Sequence, residues 1–256
     1  MTNPIIKYLC AFLLLVGTVS CAGSKKNTVE TTTPKGLRIL SYNIRNGIGM
    51  DNQMDYDRIA AVIKNVQPGV VALQELDSAT ERSKGVDVLA VLAQKTGMHP
   101  TYGAAIPYKG GKYGVGVLSR ERPLSSTSLP LPGKEEQRVL LMVEFKDYVL
   151  FCTHLSLTEA DRVASARIIN EQVGRYRKPV FLAGDLNALP ESAAISELKQ
   201  QWQQLSGLAY TIPSTKPSRC IDYIFASKAH STTVVKAEVL NGIEASDHLP
   251  LYVDVE

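Results

Sequence analysis

The chain has 256 residues, 45% apolar and 21% charged, with 18 glycines, 13 prolines and one tryptophan, a composition that excludes a disordered, collagen-like or disulfide-dense protein. Its formal charge of +3 sits ahead of Leu37: Lys7, Lys25, Lys26 and Lys35 precede that residue with one acid, Glu30, so the rest of the chain is neutral, unlike a protein that coats nucleic acid through phosphate contacts. No apolar run approaches the roughly 18 residues of a spanning helix, which excludes a multi-pass membrane protein.

In chain order, the first segment reads as an address. Lys7 precedes a short apolar run, Tyr8–Val16, and small residues then lead into Cys21. This predicts a signal peptide over residues 1–20. A small residue just before a cysteine resembles a lipobox, which predicts lipidation at Cys21; an ordinary secreted protein cleaved nearby is the alternative. Residues 21–36, rich in Thr, Lys and Ser, read as a flexible tether. The expectation is an exported protein, periplasmic or associated with the outer membrane through its lipid, or else secreted. Of the cysteines past the tether, Cys152 and Cys220 lie in strand-like runs and are expected to be buried small hydrophobes.

From Leu37 to Glu256 strand-like and helix-like runs alternate in one domain. Strands are predicted over Leu37–Ile44, Val70–Leu73, Val115–Ser119, Val139–Phe145, Tyr148–Leu155, Val180–Ala183, Ile221–Phe225, Thr233–Leu240 and Leu249–Val253. A tight turn at Lys146–Asp147 joins two of them. Helical spacing marks Tyr56–Val66 (Ile59, Val62, Ile63, Val66) and Val86–Thr96, the latter closed by Gly97. Ser156 to Glu159 reads as a capping box opening a helix with an Ala166, Ile169, Val173, Tyr176 stripe. A short helix is expected near Ser192–Gln201. Roughly ten strands with a few interspersed helices predict an α/β layered sandwich of mixed sheets.

Polar residues break the apolar runs at strand ends: Asn43, Glu75, His154, Asp185 with Asn187, Asp222, and Asp247 with His248. In open α/β sheets ligands gather beyond strand ends, so separate strands can deliver these groups to one crevice. A carboxylate inside an apolar strand must be paired, metal-bound or protonated. Several acids with Asn and no Cys make an oxygen-rich site, which suits Mg²⁺ or Mn²⁺ over zinc. Asp185 and Asn187 are two apart, so in extended chain they point the same way.

The motifs SYNIR, LQEL, THLS, GDLNALPES, IDYIF and SDHLP, in this order across Leu37–Glu256, resemble the endonuclease/exonuclease/phosphatase superfamily, the DNase-I-like metal-dependent phosphoesterases. The resemblance implies a four-layer α/β/β/α sandwich of two mixed sheets flanked by helices. It implies Glu75, Asn43 and Asp247 at the metal, and His248 as a catalytic histidine oriented by Asp222. It further implies that Asp185 and Asn187 position water and steady phosphoryl oxygens, and that His154, Asn187 and Arg138 face the phosphate. Either His248 or Asp185 can serve as the base. KYGVGVLSR departs from the family, with Val115 where many members carry Asn. Tyr113 beside it reads as an exposed loop aromatic, with an approach to the substrate as the alternative. Pro217, Ser218, Arg219 and Cys220 partly resemble the phosphatase loop of inositol-polyphosphate enzymes.

The expected activity is Mg²⁺-dependent hydrolysis of a phosphoester, as a phosphodiesterase or phosphatase, by a monomer. Alternatives are an extracytoplasmic endo- or exonuclease, a phospholipid or sphingomyelin phosphodiesterase, and a non-catalytic binding lipoprotein.

Overall fold

The computed structural model describes Met1 and residues 36–256. The expected signal peptide, Cys21 and the tether lie, Met1 and Gly36 aside, outside the described residues. The described chain forms twelve strands: β1 (Leu37–Asn43), β2 (Val70–Ser78), β3 (His99–Tyr108), β4 (Gly111–Ser119), β5 (Ser125–Leu131), β6 (Arg138–Glu144), β7 (Val149–His154), β8 (Val180–Asp185), β9 (Trp202–Gln204), β10 (Asp222–Ser227), β11 (Val234–Val239) and β12 (Leu251–Val255). Four α-helices join them: α1 (Tyr56–Val66), α2 (Val88–Thr96), α3 (Glu159–Val173) and α4 (Ala193–Leu198).

Two six-stranded sheets result, in the orders β11-β12-β1-β2-β4-β3 and β5-β6-β7-β8-β10-β9. Each has one parallel pair at its centre, β1 with β2 and β7 with β8, and antiparallel partners outside it. The crossovers within those pairs are α1 and α3, because a parallel connection needs a long return. Consequently the C-terminal ends of the parallel strands and the N-terminal ends of β6 and β10 lie at the same end of their sheets. The functional groups gather there.

Period-2 alternation divides the apolar residues into three layers. Ile39, Ala72, Val117, Leu141, Leu150 and Ile224 meet between the sheets. Leu40, Tyr42 and Leu73 pack on Ile59, Ile63 and Leu92 of α1 and α2. Phe151, Leu182 and Tyr223 pack on Ile169 of α3 and Ile195 of α4. The order of layers is therefore α/β/β/α, as expected. Cys152 and Cys220 are free buried thiols, the first between the sheets and the second in the layer under α3 and α4.

Local signals account for the helix ends. Asp55 accepts the Asp57 and Arg58 amides at the start of α1, and Asp87 accepts the Ala90 amide at the start of α2. Gly97 closes α2 at φ +70°. The Lys146–Asp147 hairpin forms, with the Phe145 amide donating to Tyr148 O at 2.9 Å.

Two expectations need correction. The capping box at Ser156 does not form: α3 starts at Glu159, and Thr158 just before it makes no side-chain cap. Ser156 Oγ instead accepts the Thr158 amide at 2.9 Å, short of the helix, and directs its proton to Glu135 Oε2 at 2.9 Å, with Asp161 Oδ2 at 3.2 Å. Three strands, β3, β5 and β9, carry no strand signal in the sequence reading, and each is a sheet edge. Edge strands tolerate proline and polar residues, as Pro100, Pro107 and Pro130 show.

Candidate active site

The most irregular point in the first sheet is the most informative. Between β2 and β4 the register shifts from Leu73 to Leu76, and Glu75 takes a left-handed φ of +59°. Leu73 and Leu76 both reach the α1/α2 layer, although residues three apart on a regular strand face opposite sides. The bulge supplies the extra residue and turns Glu75 out of the apolar layer into the cleft. A non-glycine at positive φ costs about 1–3 kcal/mol, so the fold stores strain to aim this carboxylate.

Asn43, at the end of β1 and fully buried, bridges the two sheets. Its Nδ2 donates to Glu75 Oε1 at 3.1 Å and to Asp185 Oδ2 at 3.0 Å. Asn43 Oδ1 accepts the Arg45 amide at 3.1 Å, which fixes the orientation of the side-chain amide. Asp185 ends β8, and its Oδ1 accepts the Asn187 amide at 2.9 Å. Asn187 itself stands at φ +48°. Its Nδ2 donates to Leu155 O at 2.9 Å and meets His154 Nε2 at 3.1 Å. Because Leu155 O requires a nitrogen at that position of Asn187, His154 Nε2 must accept, and its proton lies on Nδ1. Burial lowers the His154 pKa to about 4, and the charges of Arg138 and His248 push the same way against Asp185, so this histidine is neutral.

The second histidine is its opposite. His248 Nδ1 lies 2.9 Å from Asp222 Oδ2, and Thr211 Oγ1 donates to the same oxygen at 2.5 Å. Nε2 faces Asp185 Oδ2 at 3.6 Å. Burial opposes charge on His248, but Asp222 and Asp185 outweigh it and raise its pKa to about 10. The loop bearing it is pinned: Ser246 Oγ donates to Asn43 O at 2.8 Å, Ser214 Oγ to Ser246 O at 2.7 Å, and the Leu249 amide to Thr211 O at 2.7 Å.

Asp247 lies at the margin, a third exposed, with Oδ2 3.8 Å from Arg45 Nε. Burial first, with Asp185 and Asp247 adding, holds Glu75 above the ordinary carboxylate range. Glu75 and Asp185 thus offer oxygens to one point beside Asn43, with the charge of Asp247 near enough to act on Glu75. That donor set suits a hard divalent cation, which would relieve the repulsion. Asp185, Asp222 and His248 also have ligand atoms within 4.8 Å of one another. Asp222 Oδ2 is however already shared by Thr211 and His248, and within that trio only Asp222 and His248 are hydrogen-bonded, His248 Nε2 standing 3.6 Å from Asp185 Oδ2.

Residues 40–248 match the profile of the endonuclease/exonuclease/phosphatase family. The chain belongs to this family. Among solved structures it is similar to an endonuclease/exonuclease/phosphatase from Beutenbergia cavernae, at 26% identity and TM-score 0.73 over 86% of this chain and 71% of that one. It is similar also to an endonuclease/exonuclease/phosphatase from Bacteroides vulgatus, at 20% identity and TM-score 0.73 over 86% and 98%. A mannosyl-6-phosphatase of Bacteroides thetaiotaomicron is 19% identical, with TM-score 0.70 over 86% and 99%. The last two likenesses are of fold. No curated protein matches the chain. The superfamily is one of phosphoesterases, and in this member Glu75, His154, Asp185, Asn187 and His248 line a cleft of about 340 Å³ at the shared end of the two sheets.

All the sequence-predicted residues reach this end of the endonuclease/exonuclease/phosphatase sandwich, but they are not equally placed. Arg138 lines the cleft with its guanidinium taken: Nη2 is 3.2 Å from Glu135 Oε1 and Nη1 is 3.3 Å from Glu136 Oε1. Only its buried Nε lacks a partner. Tyr113 is not an exposed loop aromatic. It is a half-buried wall of the cleft on β4, set under the Arg82 guanidinium, which stacks at 5.6 Å and is itself fixed by Asp77 and Asn46. Thr211, Glu136 and Arg219 are additions. Arg219, three residues before Asp222 in the partly phosphatase-like run, gave a signal; Thr211 gave none, since only the fold brings it to Asp222.

Proposed function

We propose that this protein is a divalent-metal-dependent hydrolase of small phosphate esters. The observation that carries the reading is the meeting of Asn43 and Glu75 from one sheet with Asp185, Asp222 and His154 from the other, and with His248, in one cleft. Family membership supports hydrolysis, and the oxygen-rich set around Asn43 supports Mg²⁺ or Mn²⁺. Glu75, Asp185 and Asp247 would hold the ion, which would neutralise charge building on the phosphoryl oxygens.

The chain's own groups supply the remainder. Thr211 and Asp222 keep a proton on His248 Nδ1 and turn Nε2 toward Asp185. His248 and Asp185 are then a coupled pair flanking the attacking water, and its proton passes to the pair. Asn187 spends both Nδ2 protons on Leu155 O and His154 Nε2, so its part is to hold neutral His154 in the cleft wall beside the phosphoryl group. Arg138, its guanidinium paired with both Glu135 and Glu136, shapes the wall more than it attracts charge. The neutral domain favours small esters over polymeric nucleic acid. The N-terminal address adds that the enzyme works outside the cytoplasm, tethered through a lipid on Cys21; metabolic labelling with palmitate, lost in Cys21→Ala, checks that anchor.

The decisive experiment is hydrolysis of p-nitrophenyl phosphate and bis(p-nitrophenyl) phosphate by purified protein with Mg²⁺, with Mn²⁺ and with EDTA. Turnover that needs the metal is expected. Failure on both esters, and on DNA and phospholipid, would leave a binding module on a phosphoesterase fold.

A further inference from the structure

A second concavity opens from the catalytic cleft. It measures about 430 Å³, within the range of small-molecule sites, and shares Leu157, Asn187, Arg219 and Ile221 with the cleft. Its own walls come from the first turn of α3, with Glu159 and Arg162, and from the loop between β8 and α4, with Leu189, Glu191 and Ser192. Anything whose phosphorus sits beside Asp185 and His248 therefore extends its non-phosphate part either outward or along this groove.

The chemistry of the walls selects among possible occupants. Two carboxylates oppose two guanidiniums, so the groove is neutral. Among the described residues Glu159, Glu191 and Arg219 have no ion pair and no side-chain hydrogen bond, and Arg162 has no carboxylate partner. Arg162 spends Nη1 on Ser156 O and Leu157 O, and its buried Nε has no partner. No aromatic lines the groove. Single-stranded nucleic acid needs stacking platforms and a basic track, and neither is present. Leu157 and Leu189 are too far short of a continuous apolar surface to hold an acyl chain. Vicinal hydroxyls fit the walls: they donate to carboxylates, accept from guanidiniums, and leave C–H faces for the two exposed leucines.

We infer that this groove binds the alcohol portion of the substrate and that this portion is a polyhydroxylated ring, so that the enzyme acts on sugar or cyclic-polyol phosphates. The inference rests on the phosphoester reading of the cleft and adds its substrate class. Glu159 and Glu191 are specificity residues that touch the ring and take no part in the chemistry.

The test compares hexose phosphates with p-nitrophenyl phosphate and an oligonucleotide, for the wild type and for a Glu159→Ala, Glu191→Ala double variant. Wild-type kcat/KM should favour a hexose phosphate over the aryl ester by at least about tenfold. The variant should lose about tenfold or more of that advantage, chiefly through KM, as expected for removal of charged hydrogen bonds, and keep aryl-ester turnover within about twofold. If the aryl ester is hydrolysed but hexose phosphates are no better, if the oligonucleotide is preferred, or if the variant slows both small esters alike, the groove assignment falls and the hydrolase reading stands. If nothing is hydrolysed, the hydrolase reading falls, and titration with unphosphorylated hexose decides the groove: saturable amide shifts near residues 157–162 and 189–192 that vanish in the variant keep it, and their absence removes it.

Discussion

On the floor of the cleft, Asp185 is approached by four groups, Asn43 Nδ2 at 3.0 Å, the Asn187 amide at 2.9 Å, His154 Nε2 at 3.4 Å and His248 Nε2 at 3.6 Å. In the groove beside it, Glu159, Glu191 and Arg219 are exposed and without side-chain partners among the described residues. The floor comes from strand ends, where register fixes direction, and the groove comes from loops and a helix start. Groups that meet developing charge are held in advance, so they need no reorganisation during reaction. Groups that recognise the rest of a substrate are left free, on segments that can change without disturbing the sandwich. The price of the fixed floor is concentrated negative charge and the strained φ at Glu75.

Breaking the floor should therefore have the largest effect. His248→Ala should lower turnover by at least about a hundredfold, the scale of a lost acid–base group, with the far-ultraviolet circular dichroism unchanged. Activity near that of the wild type would transfer the proton entirely to Asp185. Glu75→Gln should come next, raising the Mg²⁺ concentration for half-maximal activity by about tenfold or more; an unaltered metal titration would remove Glu75 from the site. The same variant reads out the cost of the floor. Burial raises the Glu75 pKa, so the folded protein keeps this proton where the unfolded chain has released it. Stability of the metal-free protein accordingly falls as pH rises out of the ordinary carboxylate range. In EDTA at pH 7, Glu75→Gln should melt above the wild type, by about 2–4 °C per kcal/mol relieved.

The floor was legible in the sequence for the reason it is costly. Asn43, Asp185 and Asp222 stand at the ends of strands whose neighbours are otherwise apolar, and a polar group there needs a purpose. The central strands were legible too, since burial on both faces makes β8 a continuous apolar run through Ala183. The edges were not: Pro107 and the Ser125–Ser128 stretch answer to solvent instead of a core, so β3 and β5 carry no period. Relations between distant segments were equally hidden. Glu135, 21 residues away, takes the Ser156 hydroxyl proton, and Thr211 meets Asp222 through a loop whose course no periodicity announces. The bulge at Glu75 was concealed because an extra residue in an apolar run reads as ordinary strand.

Thr211 sharpens the comparison from within the floor, since it touches Asp222 and nothing that reacts. Thr211→Val keeps the shape and removes the donor, leaving a buried carboxylate with one partner fewer. Turnover should fall about tenfold at unchanged KM, and Thr211→Ser should restore most of it, because the hydroxyl and not the methyl carries the effect. Equal loss in Val and Ser variants would make Thr211 a packing residue.

Glu135 tests the boundary between the two regions and should have the smallest effect on turnover. It is a strut, not a reactant: it accepts the Leu157 amide at 2.7 Å and the Ser156 hydroxyl at 2.9 Å, and it faces Arg138 at 3.2 Å. Burial opposes its charge, but the Leu157 amide leads a set of donors that lowers its pKa to about 2. A depressed carboxylate stabilises the folded state above its unfolded pKa, and that contribution disappears as pH falls toward 2. Glu135→Gln should accordingly unfold at lower urea than the wild type at pH 6, and the gap should close progressively between about pH 4.5 and pH 2.5, with kcat on p-nitrophenyl phosphate within about threefold throughout the stable range. A gap independent of pH would mean that shape, and not charge, ties the β5–β6 loop to the segment leading into α3. A large loss of turnover would move Glu135, with Arg138, from the rim onto the reacting floor.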